Sequence, residues 1–315
     1  MTPVTVVLGP TGSGKSELAI RIALQAGGEI VNCDSLQLYR GFDVGTAKVP
    51  PAERRGVPHY LIDMLEPDQL FTAGHYARAA GPVLREIAAR GRVPIVVGGT
   101  GFYLRALLEG LFPGPTRDAA LRARLAARED RRPGSLHRIL RRLDPAAAAR
   151  IHPHDKNKTL RALEVRLQAG RPMSLLFEQG RSPLTGFRPI KVGLDPPREK
   201  LYAALNARTV RIFEQGLIAE VRALLARGVS GDAKPFESLG YKQAFQVVQG
   251  RMTEQEALAS TQLATRRYAK RQLTWFRKEP EVHWLKGFGS DAAVEAEALA
   301  IVERERHAHA LDSTL

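Results

Sequence analysis

The chain has only one cysteine, Cys33, among its 315 residues. No intrachain disulfide can form, and a zinc site built from several thiolates is excluded. Aromatic residues are scarce at 6%, so aliphatic side chains must fill the interior. No apolar run reaches the roughly 18 residues needed to span a bilayer, so no membrane partner is expected. The segment Met1–Pro10 lacks the positive n-region of a secretory signal. The expectation is a cytoplasmic protein.

Acidic residues are also in the minority. Lys and Arg total 47 against 33 Asp and Glu, a formal net charge of +14. Such an excess favours a polyanionic partner, most often nucleic acid, and says nothing about fold. A solubilising basic surface is the plain alternative. The excess is clustered: the stretch from Arg117 to Arg150 holds ten Arg and four acids, and Thr265–Lys278 holds six basic residues and no acid. The length implies one large domain or two modest ones.

Short apolar runs bounded by turn residues read as buried parallel strands: Val4–Leu8, Glu29–Cys33, Tyr60–Ile62, Pro94–Val97 and Ile190–Leu194. Helical patterns follow most of them, at Lys15–Ala26, Thr72–Arg90, Gly101–Leu108 and Glu199–Arg227. The alternation predicts an α/β fold with a parallel sheet. About ninety residues of helical, Arg- and Ala-rich chain separate the fourth strand from the fifth. They read as a helical subdomain, residues 117–187, inserted into a core of residues 1–116 and 188–290; it leaves near Pro113 and returns near Pro189. Residues 291–315 read as a C-terminal helix and tail.

The first strand runs into Gly9-Pro10-Thr11-Gly12-Ser13-Gly14-Lys15-Ser16. This is G-x-x-x-x-G-K-S between a strand and a helix, the context that gives the motif meaning. Backbone N–H groups at the positive helix end surround phosphate oxygens. Lys15 supplies a mobile cation and Ser16 a hydroxyl able to hold Mg²⁺. The motif does not choose between a nucleotide and an organic diphosphate.

Asp34 follows the second strand, at the crevice where ligands of such sheets bind. Mg²⁺ ligand, general base and helix N-cap compete for it. Thr100 follows Gly98-Gly99 at the end of the fourth strand, where its hydroxyl could cap a helix or bond a leaving-group oxygen. On the helix from Glu199, the stripe Leu201, Leu205, Ile212 includes Arg208 at its i+7 position. A guanidinium on an inward face needs an anion or a route to water. Arg267, Lys270, Arg271 and Lys278 share a helix face, with Tyr268 and Trp275 on an adjacent stripe, which reads as a nucleic-acid surface or a solvated amphipathic helix. His152 and His154 beside Asp155 read as solvated or RNA-facing rather than as metal ligands.

Taken together, Gly9–Ser16, Asp34–Gly45 (DSLQLYRGFDVG), His59–Asp63 (HYLID), Pro94–Leu108 (PIVVGGTGFYLRALL), Asp155–Val165 (ending RALEV), Glu237–Gln243 (ESLGYKQ) and Tyr268–Arg277 (YAKRQLTWFR) resemble the bacterial tRNA dimethylallyltransferases, in that family's order. Lys158 stands where the family pattern has Arg, and His75-Tyr76 where it usually ends in Phe.

The resemblance implies a P-loop NTPase-like parallel sheet core with an inserted helical subdomain. It implies transfer of a dimethylallyl group from dimethylallyl diphosphate to the N6 amine of the adenosine 3′ of the anticodon, with Mg²⁺ on Ser16. Asp34 matches the general base, Thr100 a residue stabilising the diphosphate, and Arg208 a diphosphate-binding arginine. Ser35, Leu36 and Gln37 match the segment that meets the reacting adenine. Arg122, Lys158, Thr159, Leu160, Arg161, Ala162, Gly240, Tyr241, Lys242, Lys270 and Arg271 match contacts to the tRNA anticodon stem-loop. A monomer is implied. The competing functions are an isopentenyltransferase acting on free adenine nucleotides, for which the basic segments would be superfluous, and a P-loop kinase or NTP-driven RNA-binding protein.

Overall fold

A computed structural model of the chain describes residues 1–178 and 180–312. The chain divides into two compact units, Met1–Leu108 with Leu184–Leu315, and Glu109–Pro183.

The first unit begins with β1 (Thr2–Leu8), α1 (Lys15–Ala26), β2 (Gly28–Asn32), β3 (His59–Tyr60), α2 (Ala73–Ala89), β4 (Val93–Val97) and α3 (Gly101–Leu108). The second unit is helical: α4 (Ala119–Arg131), α5 (Ser135–Leu143), α6 (Pro145–Arg150), α7 (Lys156–Ala169) and α8 (Met173–Glu178). The first unit then resumes with β5 (Phe187–Leu194), α9 (Arg198–Glu214), α10 (Leu217–Ala226), α11 (Tyr241–Val248), α12 (Glu254–Phe276), β6 (Val282–Leu285) and α13 (Ala292–Asp312).

The six strands form one sheet in the order β3-β2-β4-β1-β5-β6, every neighbouring pair parallel. Central β1 is buried from Val4 to Leu8, as expected of a strand covered on both faces. Its register sets Val7 beside Val97 and Leu8 beside Gly193, so the loops after β1, β4 and β5 emerge at one edge. β2 joins that edge through Asn32, paired with Val97. This is the carboxyl edge, where α/β sheets bind ligands.

Several sequence expectations are revised. The helix read as Glu199–Arg227 is two helices. Gly216, at φ 97°, takes the left-handed backbone that breaks α9 from α10. A sixth strand, β6, was not expected; it has four residues, and His283 and Trp284 at its centre hide the apolar signal. The segment after Gly289 is more than a tail. In α13, Val294, Ala298, Ile301 and Val302 join the core with Leu18, Ile22, Val192 and Leu285.

The insertion boundary also moves. The helical unit closes by Pro183, and β5 takes in Phe187 and Pro189. β6 pairs with β5 only from Lys191 onward, so Pro189 has a strand neighbour on one side alone, where a missing N–H is tolerated. The helical unit has its own core of Leu136, Leu140, Leu160, Leu163, Val165 and Leu176. Glu164, fully buried, accepts from the Asp118 N–H at 2.8 Å, Arg161 at 2.8 Å and Arg122 at 3.2 Å.

Candidate active site

Between β1 and α1 the glycine-rich turn wraps tightly. Gly12 and Gly14 have φ of 74° and 84°. A Cβ on Gly12 would lie 2.6 Å from Leu205 Cδ2, and one on Gly14 would lie 2.9 Å from the Gly289 nitrogen. Glycine is therefore required at both positions by conformation and by space. The turn is braced from outside and within. Gly289 N–H donates to the Ser13 carbonyl at 2.8 Å, and the buried Ser13 hydroxyl donates to the Pro10 carbonyl at 2.8 Å. Ser13 thus shapes the loop with its side chain, while the first amides of α1, from Lys15 onward, open toward the carboxyl edge.

Lys15 Nζ donates to the Pro10 carbonyl at 2.6 Å. Burial of this ammonium, reinforced by the nearby Arg208 cation and opposed by Asp34, pulls its pKa down from 10.5 to about 7. Arg208 reaches the Thr11 hydroxyl at 3.4 Å, and burial lowers its pKa while the Asp34 charge works the other way. The inward arginine stripe anticipated on α9 therefore ends at the phosphate loop. Lys15, Arg208 and Asp34 lie in one another's electrostatic field.

Asp34 follows the last residues of β2. Its Oδ1 accepts from the Leu36 N–H at 2.9 Å, and its own N–H donates to Asn32 Oδ1 at 3.0 Å. No helix starts there, so the N-cap reading is replaced by a local Asx-type turn that fixes the carboxylate. Thr100 precedes α3, yet its hydroxyl serves a different chain segment. Its Oγ1 accepts from the Ser35 N–H at 3.0 Å and donates to Ser35 Oγ at 3.3 Å. This ties the loop after β4 to the loop after β2. Gly98 is needed for that approach, because a Cβ would collide with the Cys33 carbonyl.

One site residue, Gln272, was not singled out from the sequence. Gln272 on α12 accepts from the Thr11 N–H at 2.8 Å and donates to the Gly99 carbonyl at 2.8 Å, clamping two site loops. Tyr268, one turn earlier, lies beside Gln272 and Asp34; burial and then the Asp34 charge push its phenol pKa up, so it stays protonated. The available signal for Gln272 was its i+4 spacing from Tyr268, on a helix whose charges drew attention to another face.

The segments matched to tRNA contacts divide by burial. Lys158, Lys242, Lys270 and Arg271 are exposed, whereas Thr159, Leu160, Ala162, Gly240 and Tyr241 are buried. Tyr241 donates its hydroxyl proton to Glu220 and accepts from the Gly45 N–H at 3.1 Å. These buried side chains pack the elements that carry their exposed neighbours. Arg122 and Arg161 are bound to Glu164.

The donor set near the loop suits a hard cation. Ser16 and Asp34 offer oxygen, and the Cys33 thiol, pushed up to about 12 by burial, stays protonated. Among the described residues no cluster of three or more His, Cys, Asp or Glu could hold a metal, so an ion here would need oxygens from a bound phosphate compound.

A glycine-rich loop at the carboxyl edge of a parallel sheet, facing a fixed carboxylate and an arginine from a later helix, defines a P-loop-like α/β protein. The chain belongs to the IPP transferase family, whose profile matches residues 37–279. It is 60% identical over 297 residues to the tRNA dimethylallyltransferase of Solibacter usitatus, covering 94% of this chain and 97% of that one. It is 57% identical to the tRNA dimethylallyltransferase of Koribacter versatilis, covering 95% and 97%.

Among solved structures, the full-length tRNA isopentenylpyrophosphate transferase of Bacillus halodurans matches with a TM-score of 0.74 at 33% identity, covering 100% of both chains. A eukaryotic dimethylallyltransferase described as acting on tRNA matches with a TM-score of 0.81 at 25% identity, covering 94% of this chain and 78% of that one. Among the described residues, no helix is long and apolar enough to cross a membrane.

Proposed function

We propose that this protein transfers a dimethylallyl group from dimethylallyl diphosphate to the exocyclic N6 amine of the adenosine 3′-adjacent to the anticodon in tRNA. The observation that carries this reading is the convergence of Lys15 and Arg208 on the phosphate loop with Asp34 in the same field. The curated relatives named as tRNA dimethylallyltransferases support it over nearly the whole chain.

The adenine amine is a weak nucleophile because its lone pair is delocalised into the ring. Allylic diphosphates ionise readily, so the main catalytic demand is stabilisation of the departing diphosphate. Loop amides, Lys15 and Arg208 meet it as preorganised donors, and the Thr100 hydroxyl joins them by turning its proton away from Ser35 Oγ. As the N6–carbon bond forms and the carbon–oxygen bond breaks, Asp34 takes the amine proton and diphosphate leaves. Ser16 would hold a Mg²⁺ ion, which supplies further positive charge to the diphosphate oxygens. No phosphoryl group moves.

The reacting adenine must leave its stack, at a cost of a few kcal/mol offset by pocket and phosphate contacts. Ser35, Leu36 and Gln37 stand beside Asp34 to receive it. Exposed Lys270 and Arg271 in the first unit, and Lys158 in the second, supply charge for the anticodon stem-loop. A free adenine nucleotide would make no use of these surfaces. Purified protein with Mg²⁺, dimethylallyl diphosphate and unmodified tRNA carrying this adenosine should give tRNA heavier by one five-carbon unit at that nucleotide. Absence of product, or steady ATP hydrolysis dependent on Lys15, would oppose the reading.

A further inference from the structure

Phe102 lies two residues beyond Thr100, at the start of α3, and is 51% exposed. It is not a loose surface side chain. Its ring meets Trp275 edge-to-face, with centroids 6.5 Å apart and planes at 84°. The indole is held in turn: the Arg105 guanidinium stacks over its face at 4.6 Å, and Gly101 leaves no room for a Cβ against it. Arg105 is itself anchored by Glu279 at 2.8 Å. The exposed Phe102 ring is therefore braced from below by packed groups.

Trp275 also lines a cavity of about 510 Å³ whose other walls include Arg267, Lys270, Arg271 and Lys278, with no acidic residue in the lining. An exposed, rigid aromatic ring beside a cavity whose charged residues are all cationic fits a ligand combining a flat π face with negative charge. Single-stranded nucleic acid has both: its bases stack on aromatic side chains and its phosphates enter basic grooves. An uncharged peptide or a neutral lipid would leave the cations unmatched.

We infer that Phe102 is a stacking platform for a nucleotide neighbouring the reacting adenosine, with the cavity beside Trp275 taking that nucleotide's phosphate. This rests on the tRNA reading of the active site and adds a residue to it. The position explains why the platform is useful. Thr100 is tied to Ser35, next to Asp34, so a base seated two residues further on would hold the anticodon loop open beside the reacting group.

The test compares Phe102→Ala, Phe102→Leu and Phe102→Tyr in steady-state prenylation of tRNA, with direct binding of an anticodon stem-loop RNA at several salt concentrations. Stacking contributes enough per base that the Ala and Leu variants should raise KM for tRNA and the RNA Kd by about tenfold to a hundredfold. The KM for dimethylallyl diphosphate should stay within about twofold, and Phe102→Tyr should restore binding. The salt slope of binding should be unchanged in Phe102→Leu and should fall by about one in Lys278→Ala, since only the latter removes a phosphate contact. The Leu variant keeps apolar bulk, so it carries the test if the Ala variant does not fold. RNA binding by Phe102→Leu within twofold of the unsubstituted protein, or an equal rise in the diphosphate KM, would overturn the inference while leaving the tRNA reading intact. Failure of the unsubstituted protein to prenylate any tRNA would remove both.

Discussion

The Gln272 carboxamide, on α12, accepts a hydrogen bond from the Thr11 N–H of the phosphate loop at 2.8 Å. Its other end donates to the Gly99 carbonyl, also at 2.8 Å. One side chain thereby fixes the distance between the loop after β1 and the loop carrying Thr100. Gln272→Ala leaves a loop N–H and a carbonyl without these partners, which costs on the order of 1–3 kcal/mol if water does not replace them. The expected result is a melting temperature several degrees lower and a KM for dimethylallyl diphosphate about tenfold higher. Gln272→Glu keeps the acceptor for Thr11 but faces the Gly99 carbonyl with an oxygen, so it should not rescue. Calorimetric melting and steady-state kinetics check both.

Lys15 makes diphosphate binding pH-dependent. In the free protein its pKa lies near 7. A bound diphosphate would place negative charge beside the ammonium and raise that value. Binding above pH 7 should then take up a proton, and affinity should fall as pH rises from about 7 toward the pKa of the bound state. Titration calorimetry at pH 8 in two buffers of different ionisation enthalpy should show uptake approaching one proton, abolished by Lys15→Met.

The same shift has a consequence for folding, with the opposite pH trend. The folded pKa lies below the ordinary lysine value, so the unfolded chain binds more protons between about 7 and 10.5. Over that window this group makes ligand-free stability rise with pH. Lys15→Met should flatten that contribution and should be more stable than the unsubstituted protein near pH 7, as chemical denaturation at several pH values would show.

The parts of the site with a fixed local spacing could be read directly from the sequence. Gly12, Gly14 and Lys15 belong to one contiguous turn between a strand and a helix. Asp34 and Thr100 sit at the ends of apolar runs that can only be parallel strands, and those ends share one edge. Arg208 betrayed itself as a cation at a core-facing helical position. The exposed or buried state of the matched RNA segments was not legible, because a motif such as RALEV or GYK mixes packing and surface residues at adjacent positions. Tyr241 illustrates this: its hydroxyl is committed to Glu220 and Gly45, both distant in sequence. Gln272 was hidden for a similar reason, since its two partners lie 261 and 173 residues away. β6 was obscured by its short length and polar centre.

Glu164 organises the helical unit around a buried charge. It is fully buried, with Arg122, Arg161 and the Asp118 N–H as partners. Removing one member of such a network strands the others; breaking a buried pair typically costs about 3–5 kcal/mol. Glu164→Ala should therefore destabilise the helical unit more than Arg122→Ala, because the Arg122 side chain is partly exposed and can turn to water. Hydrogen exchange over residues 119–169 should report the difference, with faster exchange in α4 and α7 of the Glu164 variant. Similar exchange in both variants would show that the arginines find solvent without loss.

Asp34 offers the sharpest separation of chemistry from binding. Its carboxylate is held by the Leu36 N–H at 2.9 Å, a bond that asparagine can also accept through its side-chain oxygen. Asp34→Asn thus preserves the turn and removes the base. General-base assistance of this kind is worth about 10²–10⁴-fold. The turnover rate of Asp34→Asn should fall by two orders of magnitude or more, with the Kd for anticodon stem-loop RNA changed little. Removing this carboxylate also leaves Lys15 and Arg208 without its opposing charge, so binding of diphosphate itself should tighten rather than weaken. A variant that loses turnover while holding diphosphate at least as well marks Asp34 as the proton acceptor. One that loses turnover and diphosphate together would assign it instead to holding the metal and its ligand. Single-turnover kinetics with preformed enzyme–RNA complex, alongside calorimetry with diphosphate, distinguish the two.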